Sequence, residues 1–260
     1  MNPTSITSVN RLPEEEKRAI YARLIPEGMH ERFEWRDGFK DEAGNELLQI
    51  NAPDGANTVE MWLYHEDGFE DAVLYGHLVD TLNDQIHILL YIMNDPESPR
   101  FDVDRMPDGT MTKFGTLQRH LAAEQAAMEA GLMPGQVRRG LGMGTEGKEA
   151  FEQFVGSLGH DVYFAEPLYY HNAVIFERYG FAYQEGRKLM EHIQEGFSEG
   201  GELREKLDGS DFRHEEAADS IRLRSWAVHD GILGEAFTDV TMYKKIGKEA
   251  GMNTSLDTRW

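Results

Sequence analysis

A glycine-rich run that leads into a helix is the part of the chain best suited to bind a charged ligand. The run reads Arg138-Arg139-Gly140-Leu141-Gly142-Met143-Gly144. The first N–H groups of a helix have no partner inside it, and the helix dipole adds positive charge there. Glycines also let a ligand approach the backbone closely. The run therefore predicts an anion site, most naturally for phosphates.

The chain after this run predicts a helix, a strand and a second helix. Four apolar residues at helical spacing mark the first helix: Phe151, Phe154, Val155 and Leu158. Gly159 ends this helix, and residues 160–165 read as a strand. A helix over residues 172–179 then closes at Gly180. These elements must hold the glycine run in place.

Two other phosphate-binding motifs fit the run less well. A Walker A loop needs the spacing GxxxxGK[ST], and Lys148 comes too late for it. A Rossmann fingerprint follows a strand directly, whereas a helix and a linker precede this run. Gly142-x-Gly144-x-x-Gly147 nevertheless completes GxGxxG. Two alternatives therefore remain: a nucleotide-binding protein that uses residues 139–147, and a glycine turn with no ligand.

The run and the elements after it resemble the GNAT acyltransferases. Arg139-x-x-Gly142-x-Gly144 is similar to the [RQ]-x-x-G-x-[GA] loop that holds the pyrophosphate of acyl-coenzyme A in this family. Ile175 to Phe181 resembles the family's "LYEKLGF" segment. The resemblance covers roughly residues 136–183, with looser strand patterns from about residue 46. It implies an α/β fold: a mixed, mainly antiparallel sheet flanked by helices.

The resemblance also implies a co-substrate, acetyl-CoA, and the residues that hold it. The loop would bind the pyrophosphate, and the backbone of the fourth strand would pair with the pantetheine arm. The implied coenzyme-binding residues are Ile92, Met93, Arg138, Arg139, Gly140, Leu141, Gly142, Met143, Gly144, Thr145, Asn172 and Phe176. The implied activity is acyl-CoA-dependent transfer, of acetyl above all, to an amine of a small molecule or peptide.

Acyl transfer to an amine needs a polarised carbonyl, a base and an acid. In many family members a tyrosine in the "LYEKLGF" segment is the acid, but the matching residue here is Phe176, which has no proton to donate. Nearby candidates for the acid are Tyr169, Tyr170, His171 and Tyr179. Glu166 is a candidate base. Phe176 also keeps open a CoA-binding protein of this fold that does not catalyse.

Composition limits the classes of partner. The 260-residue chain has a formal charge of -21 and no cysteine. This charge argues against nonspecific nucleic-acid binding, and the missing cysteine excludes disulfides and a thiol nucleophile. No apolar run is long enough for a membrane span, and no signal peptide is evident, so a cytoplasmic protein is expected. The acidic surface favours a cationic acceptor. A homodimer stays open.

The rest of the chain predicts a four-stranded meander with additions. Residues 1–45 form an N-terminal helical segment, residues 46–247 the GNAT-like domain and residues 248–260 a loose polar tail. An inserted loop and helix occupy about residues 97–135, with the helix over 116–130. The predicted strands span residues 46–51, 58–64, 72–81, 85–93, 221–228 and 236–244, and a polar helix covers 185–207.

Three further groups of polar residues are not expected to form sites. Asp102, Asp104 and Asp108 lack the spacing of an EF-hand. Three strand histidines, His65, His77 and His87, have no supporting carboxylate, so no metal is predicted. His229-Asp230 resembles half of a catalytic triad, but adjacent residues rarely form one and no serine partner is evident.

Overall fold

The computed structural model describes residues 2–33, 35, 36, 38–112, 118–256 and 258–260. These residues form two compact units. The first contains residues Met1–Glu97, Gly140–Ala165 and Tyr243–Lys248, and the second contains Ser98–Arg139, Glu166–Met242 and Glu249–Trp260.

In the described part of the chain, a helical segment precedes four consecutive strands, and helices and strands are interspersed after them. The strands are β1 (Leu48–Asn51), β2 (Thr58–Leu63), β3 (Leu74–Asp80), β4 (Ile86–Met93), β5 (Val162–Ala165), β6 (Ala182–Glu185) and β7 (Thr241–Lys245). The helices are α1 (Ile6–Val9), α2 (Glu14–Tyr21), α3 (Glu27–Phe33), α4 (Leu121–Glu129), α5 (Gly144–Ser157), α6 (Tyr170–Arg178), α7 (Arg187–Phe197), α8 (Glu202–Glu205) and α9 (Ile221–His229). Short 3-10 turns cover Ala22–Leu24 and Glu215–Ala218.

The strands follow the order β1-β2-β3-β4-β5-β7-β6. Neighbours from β1 to β4 are antiparallel, so the predicted meander is confirmed. β5 runs parallel to β4. β7 begins in the second unit and ends in the first. The result is the predicted α/β fold, with a mostly antiparallel sheet flanked by helices.

The alternating pattern of β2 and β3 gives the first unit its core. Every second residue is buried along both strands, as expected for a sheet with one covered face. α5 contributes Phe151 and Phe154, whose rings lie 5.0 Å from Tyr163 and 6.1 Å from Tyr21 respectively. The predicted apolar spacing of α5 therefore forms its buried side, as helical periodicity requires.

One predicted strand is wrong. Residues 221–228 alternate apolar and polar side chains at their start, but they form α9. The hydroxyl of Ser220 caps this helix by accepting from the N–H of Leu223. Trp226 is buried in the second unit, and its indole N–H donates to the carbonyl of Leu132 at 2.9 Å. Burial of side chains on both sides of this segment thus stabilises a helix in spite of the alternating apolar and polar sequence.

The predicted polar helix over residues 185–207 is also only partly right. The chain forms β6 first and turns at Gly186, whose φ is +89°. α7 and α8 follow as separate helices. The helix predicted from residue 116 begins at Leu121, and residues 113–117 lie outside the described part of the chain.

The tail predicted to be loose is held in place. The buried carboxylate of Glu177 accepts hydrogen bonds from the N–H of Thr254, at 3.0 Å, and from the hydroxyl of Tyr183, at 2.7 Å. Arg178 lies 4.3 Å above the ring of Trp260. Hydrogen bonds to a carboxylate are stronger than those between neutral groups, so the contact with Glu177 holds the tail in place.

Gly147 sets the distance between α5 and β4, which leads to a first prediction. A β-carbon at this position would lie 3.0 Å from Cε of Met93 and 3.1 Å from Cε1 of Tyr91. Gly147→Val should therefore destabilise the protein by about 1–3 kcal/mol through overpacking. Gly156→Val is the matched control, because a β-carbon there meets nothing within 4 Å. Equal melting temperatures for the two variants would contradict the prediction.

Candidate functional site

The glycine run lies beside the end of β4 in the first unit. Gly140 forms a bridge with Asn94, and the N–H of Leu141 donates to the carbonyl of Met93 at 3.3 Å. The chain thus returns to β4 although more than forty residues separate the two in sequence. The structure brings Gly140 and Leu141 of the predicted loop next to Met93, which follows Ile92 in β4.

Local geometry leaves the start of α5 accessible. Gly142 has a φ of +76°, a backbone conformation that glycine adopts without strain. A β-carbon at Gly142 would meet nothing within 4 Å. Met143 precedes the helix without capping it through its side chain. A helix start of this kind presents N–H groups and positive dipole to an incoming anion.

β4 has an edge that is only partly paired. It pairs with β3 at every residue except Leu89, where the register shifts, but with β5 only at His87 and Ile88. From Leu89 to Ile92, no strand pairs with the second edge in the described part of the chain. The open stretch measures about 13 Å at roughly 3.3 Å per residue.

The two ends of this open edge are closed by different elements. β5 closes one end at Ile88, and Leu141 of the glycine run closes the other at Met93. β4 was predicted as a central strand because of its continuous apolar sequence, yet only Ile86 is fully buried in it. A central strand with an unpaired edge and half-exposed side chains can accept an extended ligand by backbone pairing.

Arg138 and Arg139 belong to the second unit, directly before Gly140 in the chain. The guanidinium of Arg138 donates to the carbonyl of Ser98. The N–H of Arg139 donates to the hydroxyl of Ser98 at 3.1 Å, and the Arg139 side chain is largely exposed. Both arginines thus order the chain that enters the glycine run.

The predicted acid–base candidates lie in the second unit and differ in burial. Glu166 is exposed. Tyr170 is buried, and its hydroxyl accepts from Arg224 at 3.2 Å. His171 is also buried, with Nδ1 2.8 Å from the hydroxyl of Ser225. Burial first, and then the charge of His229, lowers the pKa of His171 to about 3. His171 is therefore neutral across the physiological range.

Tyr169 is the half-buried member of this group. Its ring stacks on His171 at 5.6 Å and meets His229 edge-on at 5.5 Å. Burial raises the pKa of Tyr169, and the charge of Glu124 adds to the rise. Tyr169 therefore keeps its proton at neutral pH, as an acid must before it donates.

The two predicted coenzyme residues on α6 have structural contacts. The side-chain oxygen of Asn172 accepts from the N–H of Tyr169 at 3.2 Å, which caps the helix. The ring of Phe176 stacks on Phe181 at 4.9 Å. Their roles toward a coenzyme stay predictions.

A cluster of charged side chains in the second unit is not evident from the sequence; we call it the Glu124 cluster. It consists of Arg119, Glu124, Arg213, His229 and Asp230. The guanidinium of Arg119 forms ion pairs with both Glu124 and Asp230, and its distance to Asp230 is 2.9 Å. Nε2 of His229 lies 3.3 Å from Oε1 of Glu124. Asp230 thus pairs with arginines and not with the adjacent His229. A separation of 105 residues hides the Glu124–His229 pair from any sequence pattern.

The Glu124 cluster leads to a prediction about pH. Burial alone would raise the pKa of Glu124, but hydrogen bonds from His229 and Arg119 outweigh it and hold the pKa below its ordinary value. Such a carboxylate stabilises the fold above its unfolded pKa and loses this contribution as pH falls through the folded pKa. Glu124→Gln should therefore cost about 1.5–3 kcal/mol at pH 7. In thermal melts the deficit should shrink below about pH 4.5; a constant deficit would contradict it.

Compared with known proteins, the chain matches no protein-family model, no curated protein and no solved structure.

Among the residues that the structure describes, no helix combines the length and apolar character that crossing a membrane requires. The same residues contain no group of three or more metal-ligating side chains. Of the strand histidines, His77 lies within hydrogen-bond distance of the Thr58 hydroxyl, at 3.1 Å.

Proposed function

We propose that the chain is an acyl-CoA-dependent N-acyltransferase of GNAT type that acylates an amine of a small molecule or peptide. The observation that carries the proposal is the open edge of β4, which ends at the glycine run. An acyl-CoA molecule has a diphosphate next to an extended arm with two amides. The edge suits the arm and the run suits the diphosphate.

The pairing would work through elementary interactions. Amides of the arm would form hydrogen bonds with those backbone N–H and C=O groups of Leu89–Ile92 that face the open edge, as an added strand does. The diphosphate accepts from N–H groups at the start of α5. Gly142 leaves room for this approach, since no atom lies within 4 Å of its β-carbon position. Acyl-CoA would then be held at two points along one strand.

Catalysis requires a base and an acid, for which Glu166, Tyr169, Tyr170 and His171 stay candidates. Tyr169 is the better candidate acid of the two tyrosines, since it is only half buried. A CoA-binding protein without activity is the second candidate function, and Phe176 is the observation that favours it. The proposal also includes a cytoplasmic location, acetyl as the acyl group and a cationic acceptor, the last because of the charge of -21.

A nucleotide-binding function has less support. The GxGxxG fingerprint opens directly after a strand, whereas α4 and a linker precede this run. Gly147 packs against Tyr91 and Met93, as the third glycine of that fingerprint does, so this glycine does not separate the two functions.

Ligand-induced melting shifts separate these functions. Acetyl-CoA should raise the melting temperature of the protein, whereas NAD and ATP at equal concentration should raise it less. A larger shift with NAD or ATP would favour the nucleotide-binding function and contradict the proposal.

A further inference from the structure

One face of α5, in the first unit, carries two charged side chains that the fold leaves unused. Lys148 and Glu152 lie four residues apart, which places them next to each other on the helix surface. In the described part of the chain, neither side chain forms a hydrogen bond or an ion pair, not even with the other. Both residues are half-buried, and the atom Oε1 of Glu152 is buried. A buried carboxylate oxygen without a donor is costly, so this face of α5 indicates a ligand.

Contacts within the first unit show on which side of α5 this face lies. Arg18 of α2 donates to the carbonyl of Leu48 in β1, so α2 lies on the β1 side of β4. Tyr21, the last residue of α2, packs its ring 6.1 Å from Phe154 of α5. Glu152 precedes Phe154 by two residues, which turns it about 200° around the helix. The charged face is therefore directed away from α2, toward the open edge of β4 and toward β5.

α5 runs alongside the open edge of β4 over a similar length. Phe151, which lies between the two charged residues in sequence, packs its ring 6.2 Å from Tyr91 of β4. Counted from Gly144, the first residue of α5, Lys148 and Glu152 lie about 6 Å and 12 Å along the helix axis. The open edge measures about 13 Å. A ligand that pairs with this edge therefore passes both side chains.

We propose that Lys148 and Glu152 bind acyl-CoA alongside β4: the ammonium of Lys148 binds the diphosphate, and the carboxylate of Glu152 accepts a hydrogen bond from the arm. This inference rests on the proposed function. Helix side chains lean toward the N-terminus, so Lys148, the only basic residue of α5, leans toward Gly144, which has no side chain to fill the space. The arm contains a hydroxyl and two amide N–H groups, and each of these can donate to a carboxylate oxygen.

Other charged residues of the first unit lack these features and supply the controls. Glu146 lies on the other side of α5, where a β-carbon at Gly28 of α3 would overlap its Oε2 atom. Glu149 is exposed, so water solvates its carboxylate. Glu149→Met therefore removes the same charge from the same helix as Glu152→Met. Lys245 of β7 pairs with Asp161 at 3.4 Å, and Lys245→Met is the control for Lys148→Met.

Isothermal titration of each variant with CoA and with the two parts of CoA tests the inference. Lys148→Met should weaken binding of CoA and of adenosine 3′-phosphate 5′-diphosphate by about tenfold or more, as for loss of a charged hydrogen bond, and should leave pantetheine unchanged. Glu152→Met should weaken binding of CoA and of pantetheine by about tenfold or more, and should leave the diphosphate unchanged. Both control variants should bind all three ligands as the wild type does.

The crossed pattern separates ligand contacts from damage to the fold. A variant with a disturbed fold would bind both parts of CoA more weakly, and that result would overturn the role of the substituted residue. Lys148→Arg keeps the charge and should restore most of the affinity for CoA. Wild-type affinity for CoA in Lys148→Met and in Glu152→Met would overturn the inference and leave the proposed function intact. Absence of CoA binding by the wild-type protein would overturn both.

Discussion

Gly142→Glu is expected to abolish the stabilisation that acetyl-CoA gives to the protein. At a hundred times its dissociation constant, a ligand that binds only the folded state stabilises it by about 2.7 kcal/mol. For a chain of this size, each kcal/mol raises the melting temperature by roughly 2–4 °C, so the wild-type shift should be about 5–10 °C. The introduced carboxylate would fill the approach to α5 and repel phosphate. The melting shift of the variant should fall to within error of zero.

Gly159→Glu is the matched control for this prediction. Gly159 also has a positive φ, +86°, and no atom lies within 4 Å of its β-carbon position. It follows the C-terminal end of α5, whereas Gly142 precedes the N-terminal end. Both variants therefore carry similar backbone strain and the same added charge. A full CoA shift in Gly142→Glu, or its loss in both variants, would contradict the role of the loop.

Backbone amides in the open edge of β4 should become protected when acetyl-CoA binds. Amides that hydrogen-bond to a strand partner exchange slowly with deuterium, and unpaired ones exchange faster. In Leu89–Ile92, the amides that face the open edge should slow by about tenfold or more at saturating ligand. Hydrogen-exchange mass spectrometry on peptides that span β4 measures this change.

A ligand without the pantetheine arm is the control for the exchange experiment. Adenosine 3′,5′-diphosphate lacks the arm, so it should leave the exchange of Leu89–Ile92 nearly unchanged. Amides of β2, which pairs with strands on both edges, should not respond to either ligand. Protection of β2 and β4 alike would indicate general stabilisation and would contradict backbone pairing of the arm.

Much of the first unit was predictable because its signals are local. β2 and β3 alternate buried and half-buried residues over whole strands, and the loop between them contains Asp67-Gly68. The apolar spacing around Phe151 and Phe154 predicted α5 for the same reason. The glycine run was found as a candidate because its chemistry depends on consecutive residues.

The features that were not predicted depend on contacts between residues far apart in the sequence. Sequence spacing does not show that the chain returns to β4 at Gly140 after a long excursion. α9 looked like a strand because its first residues alternate, and only packing around Trp226 reveals the helix. Glu124 looked like one acid among many until the fold paired it with His229. Tertiary packing overrides local preference in such segments.

Mass spectrometry of spermidine after incubation with acetyl-CoA and the purified chain tests the central claim most directly. An acetylated amine should form in proportion to the thiol released, and it should be lost in Gly142→Glu. Binding of acetyl-CoA with neither an acetylated amine nor free thiol, across spermidine, a lysine peptide and a neutral-tailed amine, would contradict it. That result would leave a protein that binds CoA without catalysis.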